Sequence, residues 1–215
     1  MAHLVSVNVG TPREAPWATI GRSSIDKTSV AGPVPVRRLE GDEVSSTRHH
    51  GGPDKAVYAF AQEDLDAWGV ELGLKVAPGQ FGENLSTHGI DVNEAEVGSR
   101  WQVGEVLWEI TSVRTPCHTF QAWQGHCGHD AGAWVKRFAA VARPGPYLRL
   151  LQEGRLQVGD EITVVHDPGH GVTVSTMFKA LVTDRTLLPA LLAVPDLVPE
   201  ARATAKGYVR SLGRR

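Results

Sequence analysis

Cys117 is the residue of this chain best placed for chemistry. It stands in Arg114-Thr115-Pro116-Cys117-His118, just past an apolar run that reads as a strand, and Pro116 stops that strand where the thiol emerges. Arg114 and His118 beside it make an electropositive setting, the kind in which thiolates attack or bind soft metals. A buried cysteine in a turn satisfies the same string. A second group is His49-His50-Gly51-Gly52-Pro53-Asp54-Lys55. Adjacent glycines permit positive φ and let a ligand approach backbone amides, while His, Asp and Lys in one tight loop bind and orient anionic or polar rings. A hydrated surface turn has the same composition. The third, Phe81-Gly82-Glu83-Asn84-Leu85, sets a carboxylate and an amide between apolar residues, where burial is costly without partners.

Cys117, His118, His126, Cys127 and His129 are zinc-ligand types, but no C-x-x-C or H-x-x-x-H pair occurs among them, and sequence neighbours rarely converge on one ion. His126, Cys127 and His129 read instead as part of a Gly-rich loop from Gly125 to Gly132, and Trp123 and Trp134 as core or rim packing. No G-x-S-x-G, Walker A or G-x-G-x-x-G string is present, so serine hydrolase, P-loop and dinucleotide readings have no local support. An autonomous redox enzyme would lack an electron store of its own.

The elements that must position these residues belong to a chain of 215 residues, long enough for one domain with a small appendage. Its 23 Gly and 13 Pro make turns frequent and long helices few, a lean toward β structure. The formal charge of −2, without a long single-sign run, offers nucleic acid or an anionic membrane no obvious footing. The N-terminus lacks signal-peptide character and no apolar run reaches bilayer-spanning length, so a cytoplasmic protein is expected. Two cysteines are too few for a secreted disulfide framework.

Val5, Val7 and Val9 alternate as in a strand with one buried face. Residues 11–29 read as a loop, Val34 to Leu39 as an edge strand because of Pro35, and Ala56 to Phe60 as a buried strand. Leu65, Trp68 and Leu72 predict a helix from Gln62 to Leu72. Arg100 to Val103 and Val106 to Thr111 predict a hairpin, and Gln157-Val158-Gly159-Asp160 repeats its Gln-Val-Gly-acid turn. After residue 168 three short helices are expected, capped at Thr173 or Ser175, at Asp184 or Thr186, and opened by Pro199. They are too small to stand alone and must pack on the β part or on a second subunit.

In order, Leu39-Glu40-Gly41-Asp42, His50-Gly51-Gly52-Pro53-Asp54-Lys55-Ala56-Val57, Phe81-Gly82-Glu83-Asn84-Leu85-Ser86, Val97-Gly98, Arg114-Thr115-Pro116-Cys117 and Val158-Gly159-Asp160 resemble the MOSC domain. That family is named for the C-terminal domain of molybdenum cofactor sulfurases. The resemblance covers about residues 30 to 167, and residues 170 to 212 are similar to the three-helix extension of its YiiM-like bacterial subgroup. It implies a mainly β, barrel-like domain over 1–168 with few helices, followed by a small three-helix C-terminal segment over 169–215.

It further implies a pocket for the molybdenum cofactor in its molybdopterin form. Cys117 matches the cysteine that gives a thiolate to molybdenum in reductase members, a soft ligand suited to that site. Arg48, His50, Gly51, Gly52, Asp54, Lys55, Gly82, Glu83, Asn84 and Arg114 match positions expected to line the pocket. Arg48, Lys55 and Arg114 would meet the cofactor's phosphate. Lys55 stands where subgroup members often have Arg, which keeps the charge and loses the fork. The implied reaction is reduction of N-hydroxylated small molecules, amidoximes or hydroxylaminopurines, with electrons from a separate flavin or iron–sulfur protein. Nucleic acid and membrane are not expected partners, and a homodimer stays open. The alternatives are a sulfur or cofactor carrier with a persulfide on Cys117, or a cofactor-binding module without turnover. Pyridoxal phosphate, known from the sulfurases, would need a domain absent here.

Overall fold

A computed structural model describes residues 1–37, 41–44 and 51–214. Arg48 and His50, expected in the pocket, and Leu39 and Glu40 of the first motif lie outside the described residues.

The strand where the apolar run is densest, β6 (Val57–Ala61), is buried at every position and lies near the middle of the main sheet. Around it stand β1 (His3–Val9), β4 (Thr28–Ser29), β7 (Leu85–His88), β8 (Arg100–Val103), β9 (Val106–Val113), β10 (Pro146–Gln152) and β12 (Ile162–His166). Their order is β12-β8-β9-β10-β6-β7-β1-β4. Among the described residues only β6 and β7 pair in parallel, and α1 (Gln62–Leu72), the helix its periodicity predicts, lies between them in the chain. The predicted hairpin is β8 with β9, its tryptophans Trp101 and Trp108 directly opposed and fully buried.

The sheet curls without becoming a closed barrel. Leu4 accepts from the Gly159 amide and donates to the Asp160 carbonyl, His3 bridges Glu161 and Ala2 accepts from the Ile162 amide, so the start of β1 meets the turn into β12 and the first residue of that strand. From Thr163 to His166 β12 is exposed. The side chains of β1 also depart from simple alternation. Leu4, Ser6, Val7 and Asn8 are buried, with Val5 and Val9 half-buried, because the register to β7 shifts between Leu4 and Ser6.

Residues 11–29 are more ordered than a loop: β2 (Arg13–Glu14) and β3 (Arg22–Ser23) form a small hairpin, and β4 pairs with β1. Pro35 sits in β5 (Val34–Val36), which pairs only with β11 (Gly154–Leu156), as its missing N–H requires. The Gly-rich stretch after Cys117 holds two further helices, α2 (His118–His126) and α3 (Trp134–Val141). His126 thus lies in a helix rather than the expected loop, and Cys127 is its C-terminal cap. Tertiary packing overrides the local glycines here. Phe120, Trp134 and Phe138 mesh edge to face and join Phe81 and Trp68 in one aromatic cluster.

The C-terminal segment follows its expected caps. Thr173 Oγ1 accepts from the Thr176 amide at 3.1 Å to open α4 (Val174–Val182), and Asp184 accepts from the Thr186 amide at 3.0 Å. The middle helix, Arg185–Ala193, is 3₁₀ and contains Pro189. The last, α5 (Pro199–Leu212), begins at the proline. Val174, Met177 and Phe178 are fully buried, and Phe178 meets Phe138 edge-on at 6.1 Å, so the segment packs on the β part.

Candidate functional site

At the end of β9 the chain turns through Arg114 to Pro116 and starts α2, and Cys117 becomes the N-cap of that helix with extended backbone. Its Sγ, half-buried, accepts from the Phe120 amide at 3.4 Å. The thiol therefore stands at the positive end of a helix, beside one of its unpaired N–H groups. It faces a cavity of about 380 Å³ that residues of β6, β10, the β2–β3 hairpin and three loops share, a size typical of small-molecule sites.

Four bases, Arg22, Lys27, Lys55 and Arg114, line this cavity beside the carboxylate of Asp42. Arg114 is 6% exposed, and its guanidinium lies 4.2 Å from the Phe120 ring centre and 5.0 Å from that of Tyr58. Its Nε is buried without a hydrogen-bond partner among the described residues. Gly82 packs beside it and against Ile25. With φ +79°, a Cβ there would come within 2.8 Å of Ile25 Cγ1 and 3.4 Å of Arg114 Nη1. Lys55 ends a 3₁₀ turn, Pro53–Lys55, entered through Gly51 and Gly52, both at positive φ, and its Nζ lies 5.9 Å from the Tyr147 ring. Lys27 escaped the sequence reading. It is ion-paired with Asp42, both side chains less than a tenth exposed, and Asp42 also accepts from the Gly10 amide at 3.0 Å. Burial pulls the Lys27 pKa below the ordinary lysine value, with Asp42 opposing. No periodic pattern marks Lys27, and Asp42 entered as the end of the Leu39-Glu40-Gly41-Asp42 string.

Of the positions expected in the pocket, Gly51, Lys55, Gly82, Asn84, Arg114 and Cys117 line one cavity. Asn84 is also structural, accepting from the Tyr58 amide and donating to the Asn8 carbonyl, each at 3.1 Å. Three positions are corrected. Glu83 is fully buried behind the wall, where its carboxylate accepts from the Gly79 amide at 2.5 Å, the Phe81 amide at 3.1 Å and Ser86 Oγ at 2.9 Å. Burial still pushes its pKa up. Asp54 is taken by Arg149 at 2.7 Å, and Gly52 serves only the turn.

His126, Cys127 and His129 gather at the far end of α2, whereas His118 opens the helix beside Cys117. His126 stacks with Trp17 and Trp123 at 5.5 and 5.7 Å, and burial raises the Cys127 pKa. His129 is buried, with Nδ1 2.6 Å from Gln124 Oε1 and Nε2 3.1 Å from Gln80 Nε2. Among the described residues no three His, Cys, Asp or Glu side chains cluster to hold a metal ion, and no helix is long and apolar enough to cross a membrane.

The sequence model of the MOSC domain matches residues 46–163, more than half of the chain, and the chain belongs to that family. Within it the likeness is to YiiM. YiiM of Escherichia coli is 37% identical over 102 residues, 45% of each protein. The crystal structure of YiiM from Geobacillus stearothermophilus superposes with a TM-score of 0.79 at 25% identity, covering 96% of this chain and 98% of that one. YflK of Bacillus subtilis is 26% identical over 174 residues, 80% of this chain and 76% of that protein. A Gibberella moniliformis protein named Reductase is 26% identical over 174 residues, which are 77% of this chain but 29% of its own length.

Proposed function

We propose that this chain binds the molybdenum cofactor and reduces N-hydroxylated small molecules. The observation that carries the reading is the pairing of Cys117 at a helix N-terminus with Arg114, a buried guanidinium whose Nε has no partner, in the wall of one cavity. The residues fit such a group. A thiol is the soft donor that molybdenum takes, and an orphaned buried cation suits a bound phosphate. The name of the Gibberella relative points toward redox chemistry.

Cys117 would hold the metal, and Arg114 with Lys55 the phosphate. When bound, the cofactor supplies two-electron redox chemistry at a metal able to take oxygen from a substrate. The reduction balances as R–NHOH + 2 e⁻ + 2 H⁺ → R–NH₂ + H₂O. The electrons come from a separate flavin or iron–sulfur protein. Ile25, Ala56 and Tyr147 give the cavity apolar wall that excludes water from the thiol. Lys27 carries a proton in the same wall, held in place by Asp42.

The test is metal analysis of protein made in cells competent and deficient in molybdopterin synthesis, followed by reduction of an amidoxime with a reduced viologen dye. Molybdenum near one atom per chain, only in competent cells, and dye-driven turnover are expected. Cys117→Ala should still melt cooperatively and lose both. Metal retained by that variant refutes ligation, and sulfane sulfur on Cys117 without turnover would favour the carrier reading instead.

A further inference from the structure

Charge is distributed unevenly along this chain. Residues 169–215 hold seven Lys and Arg against three Asp and Glu, a net +4, whereas the 168 residues before them hold fifteen against twenty-one, a net −6. Pairing sharpens the contrast. Among the described residues seven cations of the body, Arg100, Arg137, Arg143 and Arg149 among them, lie within ion-pair distance of a carboxylate. Among the described residues none of Lys179, Arg185, Arg202, Lys206, Arg210 and Arg214 does so, and all but Arg202 are exposed.

The geometry of α5 gathers these charges on one flank. Ala201 and Ala205 are buried and Tyr208 is half-buried, with Arg185 of the preceding 3₁₀ helix 5.8 Å from the Tyr208 ring. At about 100° per residue, Arg202, Lys206 and Arg210 fall within an arc of roughly 80°, and Val209 lies at its border. Val209 and Leu212 are 40% and 50% exposed. A cationic flank without local counter-ions, set beside apolar side chains that can be desolvated, has the makings of a protein interface with a charged rim.

We propose that this flank of α5 docks an acidic protein, and that the partner is the electron donor of the reductase; the second half rests on the function proposed above. The net −6 of the body disfavours a nucleic acid or an anionic bilayer, which would present negative charge to body and tail alike. An acidic patch on a protein of limited size can meet the tail alone. Such contacts are fast to form, weak and sensitive to salt, as turnover between redox partners requires.

The experiment compares the parent with Lys206→Glu/Arg210→Glu and with Lys206→Ala/Arg210→Ala, leaving Arg202 in place because it donates to the Val194 and Pro195 carbonyls. An acidic flavodoxin and an acidic [2Fe–2S] ferredoxin, each immobilised, are the probes. Binding of the parent to at least one of them at about 20 mM NaCl should weaken about tenfold in the charge-reversed variant, less in the alanine variant, and strongly by about 300 mM salt. With the bound donor, kept reduced, driving turnover, the apparent KM for it should rise by a similar factor while dye-driven turnover is unchanged. Binding of the parent to neither probe overturns the proposal, and so does equal binding by all three proteins. Stronger variant-sensitive binding to duplex DNA or to phosphatidylserine vesicles, or a variant-sensitive dimer in solution, overturns it in favour of that occupant. Docking without any dye-driven turnover refutes the reductase reading and leaves the docking surface standing.

Discussion

Arg114 is held by two aromatic faces and by no carboxylate among the described residues, and cation–π contacts of about 0.5–2 kcal/mol each offset only part of the cost of burying a guanidinium. Gly82 lies beside it, at a positive φ and close to Ile25. Gly82→Ala combines an unfavourable positive φ with close approach to Ile25, and should cost about 1–3 kcal/mol in urea unfolding. On the function proposed above, it should also lower the molybdenum content of purified protein. His129 makes a different demand. Its Nδ1–H donates to Gln124 Oε1, which leaves Nε2 to accept from Gln80, so the ring must be neutral. Burial lowers its pKa from the ordinary 6.5. The unfolded chain therefore takes up a proton first as pH falls. The stability from this residue is complete above 6.5 and is lost as pH drops from there toward the folded-state value. His129→Gln should flatten that part of a plot of stability against pH, measured by urea unfolding. His129 was visible in the sequence only as one member of a mixed His and Cys group, because a neutral histidine between two amides has no local signature.

The β2–β3 hairpin positions more of the cavity than its sequence suggested. Thr19, Ile20, Arg22, Ser23, Ser24 and Ile25 all line the cavity, and Trp17 at the tip packs on Trp123 and His126 of α2, the helix that Cys117 caps. Trp17→Ala removes aromatic contacts worth about 0.5–1.5 kcal/mol each beyond their area. Limited proteolysis within residues 13–23 should then run several-fold faster, with a smaller effect on the global melting temperature. Elements whose own periodicity agrees with their final environment were legible in advance: α1, the β8–β9 hairpin, and the helices capped at Thr173 and opened by Pro199. The short helices α2 and α3 were not, because Gly125, Gly128 and Gly132 speak for a loop, and what stabilises them is an aromatic cluster drawn from distant parts of the chain.

Across the whole molecule one hydrophobic core joins the sheet to the C-terminal helices. Val174, Met177 and Phe178 bury against the body, and at about 1.5–3 kcal/mol for each side chain their removal rivals the roughly 5–15 kcal/mol that holds a typical domain together. A chain ending at residue 168 should lose its cooperative thermal transition and bind a hydrophobic dye, whereas two independent units would leave its melting unchanged. The sequence alone determined the family, through short strings whose order and residue types survive translation into any coordinates. It also determined the thiol and the Gly-Gly turn, because these are local requirements of backbone and chemistry. Tertiary structure decided which motif residues share a cavity. Glu83 and Arg114 come from equally marked strings, yet three hydrogen bonds turn Glu83 into buried scaffold, whereas Arg114 lies against two rings in the cavity wall. The partner of Lys27, fifteen residues away, was settled the same way. Burial and pairing arise between segments far apart in the chain, so no window of sequence contains them.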